Sequence, residues 1–87
     1  MHELHAFVDI FVDSHLMDDV VKALSNVNNV EGLYEVTGEF DIVTLVSAHD
    51  IEEFRDTLKN KIMRIPGVKS TVSSIILQAH TVPKCKV

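Results

Sequence analysis

Two separate groups of polar residues have the chemistry to hold a small zwitterion. They are the turn Gly38-Glu39-Phe40-Asp41 and the hydroxyl pair Thr71 and Ser73. The ammonium of an α-amino acid needs a carboxylate, and its carboxylate needs N–H or hydroxyl donors. Asp41 can meet the first need, and the turn amides with the two hydroxyls can meet the second. An amino-acid site is therefore one hypothesis for function.

Each group also has an ordinary structural explanation. A carboxylate after a glycine turn commonly accepts hydrogen bonds from neighbouring backbone amides. Thr71 and Ser73 lie two residues apart, so they face the same side of a strand, where small hydroxyls are common. The residue types alone do not bring the turn and the hydroxyls together, and both explanations stay open.

Other kinds of chemistry find little support in the sequence. The three glycines are too far apart for a phosphate loop, and the single cysteine, Cys85, is expected to be an exposed thiol near the chain end. The histidines have no metal-ligand spacing; they are His2, His5, His15, His49 and His80. We predict no metal, no cofactor and no enzymatic activity.

Length and charge narrow the possible partners. The chain has 87 residues and a formal net charge of −5, which fits one domain and argues against direct binding to DNA phosphates. No basic segment followed by a long apolar run opens the sequence, and no apolar stretch is long enough to cross a bilayer, so we expect a cytoplasmic protein without membrane contact. A chain this short buries a modest fraction of its surface, which favours self-association.

The elements that position these groups follow from hydrophobic periodicity. Residues 5–13 alternate as a half-buried strand, and residues 15–27 have helical spacing after Ser14, a suitable N-cap. Strands 30–37 and 40–48 flank a tight turn at Gly38-Glu39. Asp50 can cap a second helix with the buried stripe Ile51, Phe54, Leu58, Ile62 and Ile65, which Pro66-Gly67 ends. Residues 68–80 form the last strand, and 81–87 a loose tail outside a single domain of residues 1–80.

This order predicts an α+β, ferredoxin-like βαββαβ fold, with two helices on one face of a four-stranded antiparallel sheet. The first strand has apolar residues on both sides. Phe7 and Phe11 lie on one side, and Ala6, Val8, Ile10 and Val12 lie on the other. Whichever side the helices cover, an apolar face remains, and such faces usually mark interfaces. We expect two subunits to stack sheet against sheet.

The pattern resembles the effector-binding (RAM) domain of the Lrp/AsnC regulators over nearly the whole chain. The segments that carry the resemblance are Val36-Thr37-Gly38-Glu39-Phe40-Asp41, Ile65-Pro66-Gly67-Val68 and Thr71-Val72-Ser73. The resemblance implies dimers that assemble into rings, with amino-acid effectors bound between dimers. The binding roles would fall to Gly38, Glu39, Phe40, Asp41, Thr71 and Ser73. It also implies full-length Lrp/AsnC regulators as possible partners.

The sequence departs from that family in three places, and two other classes share its order of elements. The chain starts directly at the first strand, as a stand-alone RAM protein without a helix-turn-helix would, and it has Phe40 where Tyr is common and Ser73 where Thr is frequent. An ACT-like module has its ligand turn after the first strand, where this chain has no glycine. A dimeric ferredoxin-like monooxygenase or isomerase would need a roomy pocket within each subunit.

Overall fold

Strand β1 (Leu4–Val12) lies at the centre of the sheet. A computed structural model describes residues 3–81, and in it β1 pairs with β3 on one side and β4 on the other. Ala6, Val8 and Ile10 are fully buried, whereas Phe7 is 45% exposed. The predicted alternation of β1 is confirmed, and the helices cover the side that carries Ala6.

The remaining strands complete the predicted fold. They are β2 (Val30–Glu35), β3 (Ile42–Ala48) and β4 (Val68–Ile75). The sheet order is β2-β3-β1-β4, and every neighbouring pair is antiparallel. With two helices packed on one face, this is the ferredoxin-like α+β architecture that the sequence predicts.

The first helix starts differently from the prediction. A 3₁₀ turn (Ser14–Leu16) precedes helix α1 (Met17–Ser25). The N-cap of the 3₁₀ turn is Asp13, whose Oδ1 accepts a hydrogen bond from the His15 amide at 3.1 Å. The prediction of Ser14 as the cap was wrong, because Asp13 is the last extended residue and Ser14 already lies in the helical turn. The helix also ends at Ser25, before the predicted residue 27.

The second helix begins as predicted. Asp50 caps α2 (Ile51–Asp56), accepting a hydrogen bond from the Glu53 amide at 2.8 Å. The helix then widens into a π-helical segment (Thr57–Ile62). None of the described helices is long and apolar enough to span a membrane.

The core forms between the helices and one face of the sheet. From α1 it receives Val20 and Leu24, and from the second helix Phe54 and Ile62. Leu58 and Ile65 pack against it as partly buried residues, as predicted. Ile51 was predicted to be buried but is 47% exposed, because it is the first residue of α2 and lies outside the core contact.

Strand β4 ends at Ile75, five residues before the predicted end at residue 80. Ala6 is the partner of Ile75, so a strand that continued to residue 80 would need pairing partners before β1 begins at Leu4. Leu77 is accordingly 96% exposed. Residues 82–87 of the predicted tail, with Cys85, lie outside the described residues, as does His2.

Candidate functional site

The loop between β2 and β3, residues 36–41, contains the predicted turn residues. It is wider than predicted, because β2 ends at Glu35 and β3 begins only at Ile42. The Val36 amide donates a hydrogen bond to the carbonyl oxygen of Asp41 at 3.0 Å, which closes the loop at its base. The prediction of a tight turn with strands on either side of Gly38-Glu39 was therefore wrong. These two residues form the tip of a longer loop.

The loop tip stands clear of the rest of the described chain. Gly38 has a φ of +121°, and a Cβ added there would have no atom within 4 Å. This positive φ is a conformation that L side chains adopt with strain. Glu39 is exposed beside it. A ligand that approaches from solvent or from another subunit meets no steric obstacle at this tip.

Asp41 connects the loop to the central strand. Its Oδ2 accepts a hydrogen bond from the Val12 amide at 2.7 Å, and its own amide donates to the Ile10 carbonyl at 3.1 Å. The carboxylate therefore serves β1 in the way a backbone carbonyl would, which is the structural role left open by the sequence. An ionised carboxylate has further lone pairs. The half-buried Asp41 can accept a second partner while it keeps this bond.

Phe40 folds back onto the uncovered face of the sheet. Its ring contacts that of Phe11 with a centroid separation of 4.8 Å and an interplanar angle of 52°. Tilted pairs at this distance are favourable aromatic contacts. Phe40 thus anchors the loop, and this contact draws residues 40 and 41 out of the strand geometry predicted for them.

Thr71 and Ser73 lie on the edge strand β4. Thr71 pairs with Ile10 and Ser73 with Val8, so both face the side of the sheet that the helices cover. Thr71 is half-buried and Ser73 is exposed. The sequence prediction that the two hydroxyls share a face is consistent with this register.

The structure does not bring the hydroxyls to the loop within one chain. Ile42, Ile10 and Thr71 form one row across β3, β1 and β4, so Ile42 and Thr71 are separated by two strand spacings, about 10 Å. Ile10 fills the position between them and is fully buried. Thr71 is therefore not in direct contact with Ile42, the residue next to Asp41, in the same subunit.

A cluster that sequence spacing missed lies at the opposite end of the sheet. His5 Nε2 is 3.8 Å from Glu3 Oε1 and 3.7 Å from Glu31 Oε1. Glu3 and His5 are two residues apart, which is a weak sequence signal for a shared strand face. Glu31 comes from β2, so only the strand pairing could have indicated its place. A surface depression elsewhere, on α2 and the π-helical segment, is lined by Arg55, Lys59 and other polar residues.

Comparison with known proteins identifies the family. The model of the Lrp/AsnC ligand binding domain matches residues 5–82. The chain belongs to this family. The resemblance seen in the loop and β4 segments is thereby confirmed. The family is one of regulatory ligand-binding domains, whereas the fold alone is shared with the enzyme and ACT-like alternatives.

Individual relatives place this Lrp/AsnC domain in two contexts. A feast or famine regulatory protein of Mycobacterium tuberculosis, solved in complex with L-methionine, is 32% identical, with a TM-score of 0.82 over 95% of this chain and 56% of that one. An HTH-type transcriptional regulator of Pyrococcus furiosus is 31% identical over 86% of this chain and 51% of its own length. Homocitrate synthase of Saccharolobus solfataricus is 30% identical over 87% of this chain. The match covers 16% of that enzyme.

Proposed function

We propose that this Lrp/AsnC domain senses a free amino acid, which binds where the 36–41 loop of one subunit meets β4 of another. The observation that carries the proposal is the separation of the two halves of the site. Ile10, fully buried, stands between Thr71 and Ile42, the residue that follows Asp41. Groups with complementary chemistry that are held apart within a subunit can meet between copies. Binding then depends on assembly.

The proposed roles follow from the geometry of the loop. Asp41 keeps one carboxylate oxygen on the Val12 amide and offers its remaining lone pairs to the ligand ammonium. The amides of Gly38 and Glu39, at the clear tip of the loop, and the hydroxyls of Thr71 and Ser73 donate to the ligand carboxylate. Phe40 holds the loop through Phe11. The methionine complex of the M. tuberculosis relative supports an amino acid as the ligand class.

The uncovered sheet face supports a dimer as the building unit. Its strands expose Phe7 by 45%, Tyr34 by 54% and Val72 by 47%. In the sheet register Phe7 and Val72 occupy neighbouring strands on the same face. Apolar residues grouped in this way typically mark a protein interface. We propose that two copies stack through this face and that these dimers assemble further, bringing loop and β4 together.

Calorimetry with paired variants tests this site. The wild-type protein is first screened against the standard amino acids by thermal shift, since a ligand of the native state raises its apparent stability. Asp41→Asn keeps an acceptor for the Val12 amide but removes the charge. We expect it to weaken binding about tenfold to a hundredfold, the effect of losing a charge-assisted hydrogen bond. Asp41→Ala should lose the same affinity and also destabilise the loop.

The controls distinguish binding from folding and from assembly. Glu35→Gln changes an exposed carboxylate next to the loop and should retain wild-type affinity. Light scattering on each variant records its mass, so that a dissociated protein is not mistaken for a defective site. Unchanged affinity in Asp41→Asn, or no response of the wild type to any amino acid, would overturn the proposal.

We further propose that the domain acts in the cytoplasm through a partner rather than by holding DNA itself. The net charge of −5 disfavours phosphate contacts, which supply most non-specific affinity for DNA. The similarity to an HTH-type transcriptional regulator of P. furiosus supports a regulator of that type as one partner class. A gel shift at moderate salt with the 87-residue chain should give no sequence-specific complex. Adding a full-length regulator from the same cell should give co-assembly or a change in its DNA binding.

A second candidate function rests on the homocitrate synthase match. In that protein a similar stretch accompanies a biosynthetic enzyme instead of a DNA-binding regulator. This domain would then make the activity of an enzyme depend on the amino-acid concentration. Affinity capture with the immobilised protein, with and without the amino acid found by thermal shift, discriminates the two functions. Ligand-dependent capture of a DNA-binding regulator supports the first, and capture of an enzyme whose rate then responds to the amino acid supports the second.

A further inference from the structure

We propose that Glu3, His5 and Glu31 form a binding site for a divalent transition-metal cation, with Zn²⁺ as the representative ion. One ligand atom from each residue lies within 4.8 Å of the other two, and no other such group occurs in residues 3–81. An imidazole nitrogen with carboxylate oxygens is a common donor set for zinc and its neighbours in the first transition series. The site is independent of the amino-acid site and lies away from it.

The distances fit ligands around an ion better than they fit hydrogen bonds. The contacts of His5 Nε2 at 3.8 and 3.7 Å are longer than hydrogen bonds and lie in the range of ion pairs, so two carboxylates converge on one imidazole nitrogen. Tetrahedral zinc with bonds of about 2.1 Å separates its ligand atoms by about 3.4 Å. Only small rotations of exposed glutamate side chains are needed to reach that spacing.

A β-bulge aims Glu31 at this position. Val30 pairs with Val46 and Gly32 with Leu45, which leaves Glu31 as the extra residue of β2. Bulges characteristically redirect a side chain. Gly32 lets the Tyr34 ring pack closely over the bulge. A Cβ on residue 32 would lie only 3.0 Å from Cε2 of that ring.

The loop before β2 fixes the other end of this arrangement. The Ser47 amide donates to the Asn29 carbonyl at 2.9 Å, and Asn29 Nδ2 donates to the Ser47 carbonyl at 2.9 Å. Ser47 is also the β3 partner of His5. Its short side chain lies between His5 and Glu31 on the uncovered face, so the longer side chains can meet above it. The backbone therefore holds two of the three ligands, His5 on β1 and Glu31 on β2, on either side of β3.

In the single chain, ions have access to all three side chains. Their exposed fractions are 51% for Glu3, 38% for His5 and 45% for Glu31. Three protein ligands leave at least one coordination position of a tetrahedral ion open. Water, or a donor from another molecule, can occupy it.

Calorimetric titration of the protein with ZnCl₂ in a non-chelating buffer tests the proposal. We expect one strong Zn²⁺ site per chain, with affinity reduced about tenfold or more in His5→Ala, since even the loss of an outer-shell partner commonly has that effect. Glu31→Gln preserves size and removes the charged ligand, and it should lose affinity in the same way. In NMR spectra, the His5 imidazole signals should shift on addition of Zn²⁺.

Matched variants control for incidental ligands. Glu35→Gln removes an exposed carboxylate from the same strand as Glu31, and His49→Ala removes an exposed histidine outside the cluster. His2→Ala and Cys85→Ser remove potential ligands from the chain ends. All four should retain wild-type zinc affinity.

Three results would overturn the site. The first is Zn²⁺ affinity weaker than millimolar in the wild type. The second is equal affinity in the wild type, His5→Ala and Glu31→Gln, and the third is a loss of affinity confined to the control variants. Circular dichroism of each variant verifies that the fold is intact, so a loss of binding is assigned to the ligand set.

Discussion

The same strands form both faces of the sheet, but the helices cover only one of them. On the covered face Ala6, Val8 and Ile10 are fully buried beneath the helices. On the other face Phe7 and Val72, on neighbouring strands, remain 45% and 47% exposed. A single chain therefore finishes one apolar layer and leaves the other for a second molecule.

This difference separates stability from assembly. At the centre of the covered face even a polar side chain is enclosed and satisfied, because the buried Thr44 hydroxyl donates to the Val8 carbonyl at 3.0 Å. A satisfied buried hydroxyl costs little, whereas an unsatisfied one is strongly unfavourable. The uncovered face is instead rimmed by exposed polar groups. Folding of the chain should depend on the first face and association on the second.

The largest expected effect comes from the centre of the covered face. Ile10→Ala removes a fully buried side chain between β3 and β4, and such truncations cost about 2–5 kcal/mol of unfolding free energy. Urea denaturation at several protein concentrations measures it. Phe7→Ala, on the same strand, should mainly alter the concentration dependence of the midpoint. Equal and concentration-independent losses in both variants would break the distinction between the faces.

A charge placed on the uncovered face should disrupt association. Val72→Asp would bury a carboxylate in the proposed dimer, and we expect dimerisation to weaken by about 2–4 kcal/mol, since unpaired buried charges are costly. Sedimentation should then give the mass of one chain at micromolar concentration. Ile51→Asp is the matched control, because Ile51 is also 47% exposed but lies on the helix layer. A wild-type protein that already sediments as one chain would refute the dimer.

Much of the fold could be predicted because local chemistry and periodicity agree with it. β1 has a strict alternation, α1 a helical stripe that includes Val20 and Leu24, and Asp50 a clear capping role. The order of elements followed from these patterns. What the alternation could not reveal was which side of β1 the helices cover, since both sides are apolar and the choice depends on how whole layers pack.

The boundaries failed where distant contacts override local propensity. Phe40 favours extended backbone, but its ring packs on Phe11 and the carboxylate of Asp41 binds the Val12 amide, so β3 starts later than its sequence indicates. β4 stops at Ile75, whose partner Ala6 lies two residues from the start of β1 at Leu4. These causes lie some thirty residues away or more, as in the 29-residue separation of Val12 and Asp41.

The sequence likewise predicted only the local part of the candidate site. Residues 38–41 are contiguous, so the sequence already placed them together. The position of Thr71 across β1 from Ile42 required the strand register, and so did the approach of Glu31 to His5 through a bulge. Side chains brought together by non-local pairing leave no spacing in the sequence.

Two glycines with positive φ allow a closely packed position to be compared with an exposed one. A Cβ on Gly67 would lie 2.8 Å from Leu16 Cβ and 2.8 Å from Val20 Cγ2, beneath the helix layer, whereas one on Gly38 meets nothing within 4 Å. Both Ala variants incur backbone strain, but Gly67→Ala adds overpacking. We expect it to cost about 1–3 kcal/mol more than Gly38→Ala. Equal thermal stability of the two variants would mean that Gly67 is not closely packed.

The smallest effect belongs to the polar network where the helix layer meets the loop before β2. The Glu53 carboxylate accepts hydrogen bonds from the His49 amide and from Asn29 Nδ2. The bond from the His49 amide, ahead of the other contributions, lowers the pKa of Glu53 below its ordinary value. Because the folded-state pKa is the lower one, this contribution to stability is present above the unfolded-state pKa and is lost as pH falls through the folded-state pKa.

Glu53→Gln therefore should be less stable than the wild type at neutral pH, and the difference should shrink in acid as the wild-type carboxylate protonates. Chemical denaturation from pH 7 down to about pH 3, a range that spans the ordinary pKa of glutamate, measures the difference. Glu52→Gln, an exposed change of the same charge in the same helical turn, is the control for net charge. A stability difference that stays constant over this range would show that the Glu53 charge does not hold the His49 amide. Asn29 also bonds to the Ser47 backbone. A measurable loss of stability in Glu53→Gln would therefore indicate that the helix layer helps to hold the bulged end of β2 in place.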